Sequence, residues 1–169
     1  MSYILKLVKN NFLLALLSFM KSKNWVNRQK NDQFVKKAKQ LGYINRAAFK
    51  LEEIEQKYKI IENSKEILEL GSSPGGWTQV ILSYNPKTNI TCFDLLDMKI
   101  NNQRIAFYRE DFLKYNFTNL KNKFDLVLSD VAPNTTGHQS TDHLRISQLI
   151  YEVIDLSLIH ISEPTRHRY

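Results

Sequence analysis

Only one of the 169 residues is a cysteine, Cys92, so neither an internal disulfide nor a thiolate zinc cluster can form within the chain. It lies in the apolar run "NITCFDL", where a buried structural thiol and a reducing, cytoplasmic setting are expected. Internal repeats and low-complexity linkers are missing, and no apolar run is long enough to cross a bilayer; "FLLALLSF" near the start is far too short. Acids are in the minority, 17 against 24 lysines and arginines, which gives a net charge of +7. That balance points to polyanionic partners, nucleic acid among them. With 43% hydrophobic and 24% charged residues the chain is neither disordered nor collagenous nor a coiled coil, and its length is that of one globular domain.

The first nineteen residues, "MSYILKLVKNNFLLALLSF", carry lysines followed by an apolar run, as a signal peptide does, but no small-x-small cleavage site follows before "MKSKNW". An amphipathic helix added to the domain is a second reading. A start at Met20 is the favoured third, which makes 1–19 a doubtful extension.

From Trp25 to Ile60 the pattern is helical and basic. In "DQFVKKAKQLGY" Phe34, Val35, Ala38 and Leu41 fall at helical spacing opposite Lys36, Lys37 and Lys39, with Gly42 as the stop. A second helix, "NRAAFKLEEIEQKY", is expected to be capped by Asn45 and to put Phe49, Leu51 and Ile54 near one side. Strands then alternate with helices: "EILEL", "NITCFDL", "RIAFYRED" and "FDLVLSD" read as strands, "GWTQVILSY" and "DHLRISQLIYEVIDLSL" as helices. This alternation predicts an α/β fold with a parallel sheet covered by helices.

Ligands of open parallel sheets bind at the carboxyl ends of the strands, where the strand order reverses. The expected ends are the turn Gly71–Gly76, then Asp94, Asp111 and the stretch Ser129–Asn134. A glycine turn between strand and helix lets a ligand approach the backbone at a helix N-terminus. "GSSPGGWTQ" lacks the G-x-G start of a dinucleotide fingerprint and the lysine of a phosphate loop, so hydride transfer and ATP hydrolysis lose ground. Asp94 is placed to accept from ribose hydroxyls and Asp111 to reach an adenine-side amino group. With Trp77 they form the ingredients for an adenosine moiety without a phosphate chain, as in S-adenosylmethionine. Taken singly, each acid is equally well a solvated turn residue. Asp130 sits beside a proline turn, where it either caps the turn or orients a substrate hydroxyl and a lysine. Lys50, between Phe49 and Leu51, either snorkels at the surface or points into the cleft. No metal-ligand set is read from the sequence.

The stretches "NRAAFKLEEI", "LELGSSPGGWTQV", "FDLL", "REDF" and "FDLVLSDVAPNTTG", in this order, resemble the FtsJ/RrmJ family of S-adenosylmethionine-dependent ribosomal RNA 2′-O-methyltransferases from about Trp25 to about Leu158. The resemblance implies a Rossmann-like methyltransferase fold. It implies cofactor contacts at Gly75, Trp77, Asp94, Asp111 and Asp130, and catalytic roles for Lys50 and Asp130. It also implies methylation of a ribose, that of a uridine, in large-subunit ribosomal RNA, by a protein that is cytoplasmic, free of membrane and monomeric when complete. The family's second lysine and glutamate have no counterpart here, so the fold is expected to be incomplete, with later strands missing. A catalytically inactive RNA-binding module and a methyltransferase of transfer RNA or cap RNA stand as alternatives.

The tail "LSLIHISEPTRHRY" breaks the pattern with a proline, and "LSLIHISEPTR" resembles a translated sequencing adapter. The expected organisation is therefore a basic helical RNA-binding region at 20–60, a partial methyltransferase domain at 61–155 and an artefactual tail at 156–169. A chain cut there is expected to expose the strand ending at Ser129 as a hydrophobic edge, to be poorly soluble, and to be severely impaired in catalysis.

Overall fold

The computed structural model describes residues 33–120, 123–131 and 138–160. The expectations on 1–32, on Ala132–Asn134 and on 161–169 lie outside the described residues. Helix α1 spans Gln33–Gln40, α2 Ala47–Tyr58, β1 Glu66–Leu70, α3 Gly76–Tyr84, β2 Asn89–Phe93, β3 Ile105–Tyr108, β4 Leu126–Ser129 and α4 Gln139–His160, with one 3₁₀ turn at Phe117–Leu120. The four strands form one parallel sheet in the order β3-β2-β1-β4. The chain thus moves outward from β1 through β2 to β3, then returns to the other side of β1, and the switch point lies between β1 and β4.

Side-chain alternation along the strands divides the core in two. In one set of rows Ile67 pairs with Ile90 and Leu126, and Glu69 with Cys92 and Leu128. These apolar residues pack with Leu51 and Ile54 of α2 and with Trp77, Val80 and Ile81 of α3. The alternate rows, Leu68, Leu70, Phe93 and Val127, pack with Phe112, Phe117, Phe124 and Val153 of α4. Both faces are covered, as a parallel sheet requires. At the amino end of the sheet, Asp125 Oδ2 accepts hydrogen bonds from the Lys65 and Glu66 amides at 2.8 and 3.0 Å and so ties the entry of β4 to β1.

Helix stops and starts follow the local chemistry. Gly42, at φ +77°, ends α1, and the pair of bonds Tyr43 N to Ala38 O and Gly42 N to Lys39 O closes a Schellman motif. The expected Asn45 cap shifts by one residue: the cap position of α2 is Arg46, which makes no side-chain cap bond, while Asn45 Oδ1 accepts from Ala47 N at 3.1 Å in the turn before it. Two further expectations need correction. The apolar stripe of α1 is largely exposed, with only Ala38 buried and Phe34 and Leu41 more than half exposed, because an eight-residue helix at the margin of the fold meets the core through one position. Phe49 does not share a side with Leu51 and Ile54: it turns toward α1, with its ring 5.4 Å from Tyr43 and 6.3 Å from Phe34. Helix α4 also continues past Asp155, with Leu156 packed against the core and Ser157 buried.

Candidate active site at the strand carboxyl ends

The turn after β1 is held from two sides. Gly71 N and Ser72 N both donate to Phe93 O, at 2.8 and 3.2 Å, so the turn bends toward the end of β2. There the Asp94 carboxylate accepts from Ser73 N at 2.8 Å through Oδ2 and from Leu96 N at 2.8 Å through Oδ1. Asp94 is half-buried, and each oxygen keeps a lone pair free of these backbone bonds. Asp111 stands at the same edge beyond β3, with Oδ1 accepting from Leu113 N at 3.1 Å and Lys114 Nζ 3.7 Å from Oδ2. The expected strand-end acids therefore share one edge of the sheet, and two of them are already spoken for in part by backbone amides.

The glycines of the turn have reasons internal to the chain. Gly71 has φ +78°, and a Cβ there would lie 2.8 Å from Val131 Cγ2, so it permits the close pass of β1 and β4 at the switch point. A Cβ on Gly76 would lie 1.9 Å from Asn45 Oδ1, and the Cβ position of Gly75 is 3.0 Å from Ile100. Space expected for a ligand at these two positions is filled by Asn45 and Ile100. The Trp77 indole is likewise buried, 3% exposed, with Nε1 donating to Ala47 O at 2.9 Å. Its ring locks α3 to α2, and its backbone N–H lies in the first turn of α3, where a helix offers no acceptor of its own.

Lys50 and Asp130 are 80 positions apart in sequence and act on one another electrostatically across the switch point. Asp130 follows β4, its amide donating to Leu70 O at 3.3 Å. Burial raises its carboxyl above the ordinary range, and the cations Lys50 and Arg46 pull it back in part. Lys50 lies on α2 and is exposed as a residue, yet partial desolvation lowers its pKa, with Asp130 opposing and Arg46 adding to the fall. Burial dominates for both partners, so both are pushed toward their neutral forms. A lysine in this state is closer to giving up its proton than one fully in water.

A profile described as FtsJ-like methyltransferase matches residues 43–165. The chain belongs to the FtsJ-like methyltransferase family. It is 39% identical over 142 residues to the ribosomal RNA large subunit methyltransferase E of Novosphingobium aromaticivorans, covering 81% of this chain and 64% of the relative. Against the protein of the same name from Rickettsia bellii the identity is 37%, with 86% and 68% covered, and against that from Zymomonas mobilis 40%, with 78% and 61% covered. The chain thus spans about two thirds of the length of these curated relatives. A crystal structure described as a ribosomal RNA methyltransferase of Plasmodium falciparum superimposes with a TM-score of 0.61 at 28% identity, over 71% of this chain and 73% of that one.

Two residues of this FtsJ-like chain escape a reading of the sequence alone. Arg46, one helical turn before Lys50, adds a second cation to the pair; its signal is the i, i+4 spacing. Glu69 is 1% exposed in the centre of the sheet. It accepts from Thr78 Oγ1 at 2.6 Å and from Cys92 Sγ at 3.7 Å. An acid inside the apolar strand "EILEL" is the available clue. The Cys92 thiol is buried, as expected, with its pKa pushed far up by desolvation. Among the described residues no helix is long and apolar enough to cross a membrane, and no group of three or more potential metal ligands occurs.

Proposed function

We propose that this chain carries the cofactor site and the first two catalytic groups of an S-adenosylmethionine-dependent ribosomal RNA 2′-O-methyltransferase. The observation that carries the reading is the electrostatic coupling of Lys50 on α2 to Asp130 at the end of β4, on the same sheet edge as the turn that Asp94 holds. The residues fit the cofactor. Asp94 and Asp111 offer free lone pairs to hydroxyl and amino groups at one sheet edge, and Ser72 Oγ, buried in the turn, has no hydrogen-bond partner. Gly75 shapes the entry of α3 at φ +112°, and Trp77 contributes its backbone N–H.

The bound cofactor supplies an electrophilic methyl group on a sulfonium. What remains for the protein is alignment of a ribose hydroxyl and removal of its proton. Asp130 orients Lys50 and the incoming hydroxyl; Lys50, with its pKa lowered by burial and by Arg46, favours loss of positive charge nearby. The second lysine and the glutamate that the family resemblance leads one to expect are not found in these 169 residues. General-base help is worth about 10²- to 10⁴-fold, so methyl transfer by this chain alone falls short of a full-length relative by that order. The exposed lysines of α1, Lys36, Lys37 and Lys39, supply phosphate contacts that position RNA without reading its sequence.

The test is transfer of labelled methyl from S-adenosylmethionine to undermethylated large ribosomal subunits, with the chain and a full-length relative side by side. The expected result is a ribose 2′-O-methyl product from the relative, slow formation of the same product by the chain, and loss of it in Asp130→Asn. A base-methylated product, or activity unaffected by Asp130→Asn, contradicts the reading.

A further inference from the structure

Among the described residues Glu69, in the central strand β1, is a buried acid that the proposed mechanism leaves without a task. Both of its hydrogen bonds fall on a single oxygen, Oε2, from the Thr78 hydroxyl of α3 and the Cys92 thiol of β2. Neither donor carries charge. The charged groups that act on Glu69 are Asp94 at the end of β2 and Asp130 at the end of β4, and both are acids; Lys50 and Arg46 of α2 act on Asp130. A carboxyl group that is buried, bonded only to neutral donors and placed beside two carboxylates holds its proton. Its pKa is accordingly raised to about 8, chiefly by desolvation. The Ser72 hydroxyl, 3% exposed, lies against the Cys92 thiol and acts on it, so the turn brings one more buried polar group to the same cluster.

A group that feels the charges of Asp94 and Asp130 must also feel a cation placed between them. The proposed methyl donor carries a positive sulfonium, and its demethylated product, a thioether, does not. We infer that Glu69 is a specificity-determining residue that releases its proton when a cationic ligand occupies the switch point, so that the site favours the sulfonium donor over the neutral product. The balance is simple: the Glu69 carboxyl O–H breaks, the proton passes to the buffer, and the carboxylate keeps its bonds from Thr78 and Cys92. The inference rests on the cofactor reading above and deepens it. It has a kinetic consequence, since loss of the sulfonium charge on transfer returns the proton to Glu69 and weakens the hold on product.

The experiment is calorimetric titration of the full chain with S-adenosylmethionine and, separately, with S-adenosylhomocysteine, in buffers of different ionisation enthalpy, from pH 6 to pH 9. The α-amino groups of both ligands titrate in this range, and the Glu69→Gln protein measures that contribution for subtraction. The expected difference between the wild type and Glu69→Gln is a release on the order of half a proton near pH 8 with the donor and close to none with the product. A coupling of one pKa unit makes donor affinity rise by up to about tenfold across the range. Difference infrared spectra of the wild type give a second readout that does not depend on the variant's folding: a protonated-carboxyl band is lost on donor binding and retained on product binding. Equal proton release with the two ligands after subtraction, or an unchanged carboxyl band with the donor, overturns the inference while leaving the cofactor reading in place. Failure of both ligands to bind overturns the two together.

Discussion

Replacing Gly71 by alanine probes the switch point where β1 and β4 separate. Two costs arise from the geometry. The residue sits at φ +78°, where an L side chain costs about 1–2 kcal/mol. Its Cβ would also fall 2.8 Å from Val131 Cγ2 and 3.3 Å from the Val131 Cα and amide nitrogen. The methyl overlap is the severe one and must be relieved by movement of the valine or of the strand ends, and overpacking of this kind costs about 1–3 kcal/mol. The expected loss for Gly71→Ala is therefore about 2–5 kcal/mol, a large share of the stability of a domain this size. Urea unfolding of Gly71→Ala, Val131→Ala and the double variant separates the terms. Removing Cγ2 recovers the overlap but not the dihedral cost, so a coupling of about 1–2 kcal/mol is expected. A single variant that costs less than about 0.5 kcal/mol, or costs that simply add, refutes the account of why glycine stands there.

Glu69→Gln changes how stability depends on pH. The folded pKa of about 8 lies above the ordinary 4.5, so as pH rises between these values the unfolded chain sheds a proton that the folded one keeps. The wild type then loses roughly 1.4 kcal/mol per pH unit relative to Glu69→Gln, levelling off above the folded pKa; parallel curves from denaturant melts contradict this. Trp77→Phe removes the Nε1 donor to Ala47 O and is expected to cost about 1 kcal/mol in the same melts, with a cost near zero counting against a role in joining α2 to α3. In RNA-binding titrations, replacing Lys36, Lys37 and Lys39 by glutamine should lower the slope of log K against log salt by roughly 0.7 for each phosphate that a lysine no longer neutralises. An unchanged slope removes α1 from the RNA interface.

Much of the fold is legible because its elements announce themselves locally. "EILEL" and "FDLVLSD" are apolar runs bounded by turn residues, and Gly42 is a stop by backbone chemistry alone. The strand-end acids are legible because alternation fixes where carboxyl ends fall. What sequence cannot supply is occupancy. That Asn45 and Ile100 fill the space beside Gly76 and Gly75 depends on neighbours 25 to 31 positions away in the chain. That Phe49 turns toward Tyr43 depends on how α1 meets α2. Glu69 stays hidden because one acid in a short strand reads as an edge residue until the sheet order puts β1 in the middle.

The most direct measurement is the affinity of S-adenosylmethionine for the wild type, Asp94→Ala and Asp125→Ala. The two aspartates are matched: each accepts two backbone N–H bonds, Asp94 at the carboxyl end of the sheet and Asp125 at the amino end. If the carboxyl-end switch point is the cofactor site, Asp94→Ala weakens binding at least about tenfold, equivalent to 1.4 kcal/mol, while Asp125→Ala lowers stability and leaves affinity unchanged. Equal effects of the two substitutions, or no binding by a folded wild type, contradict the account.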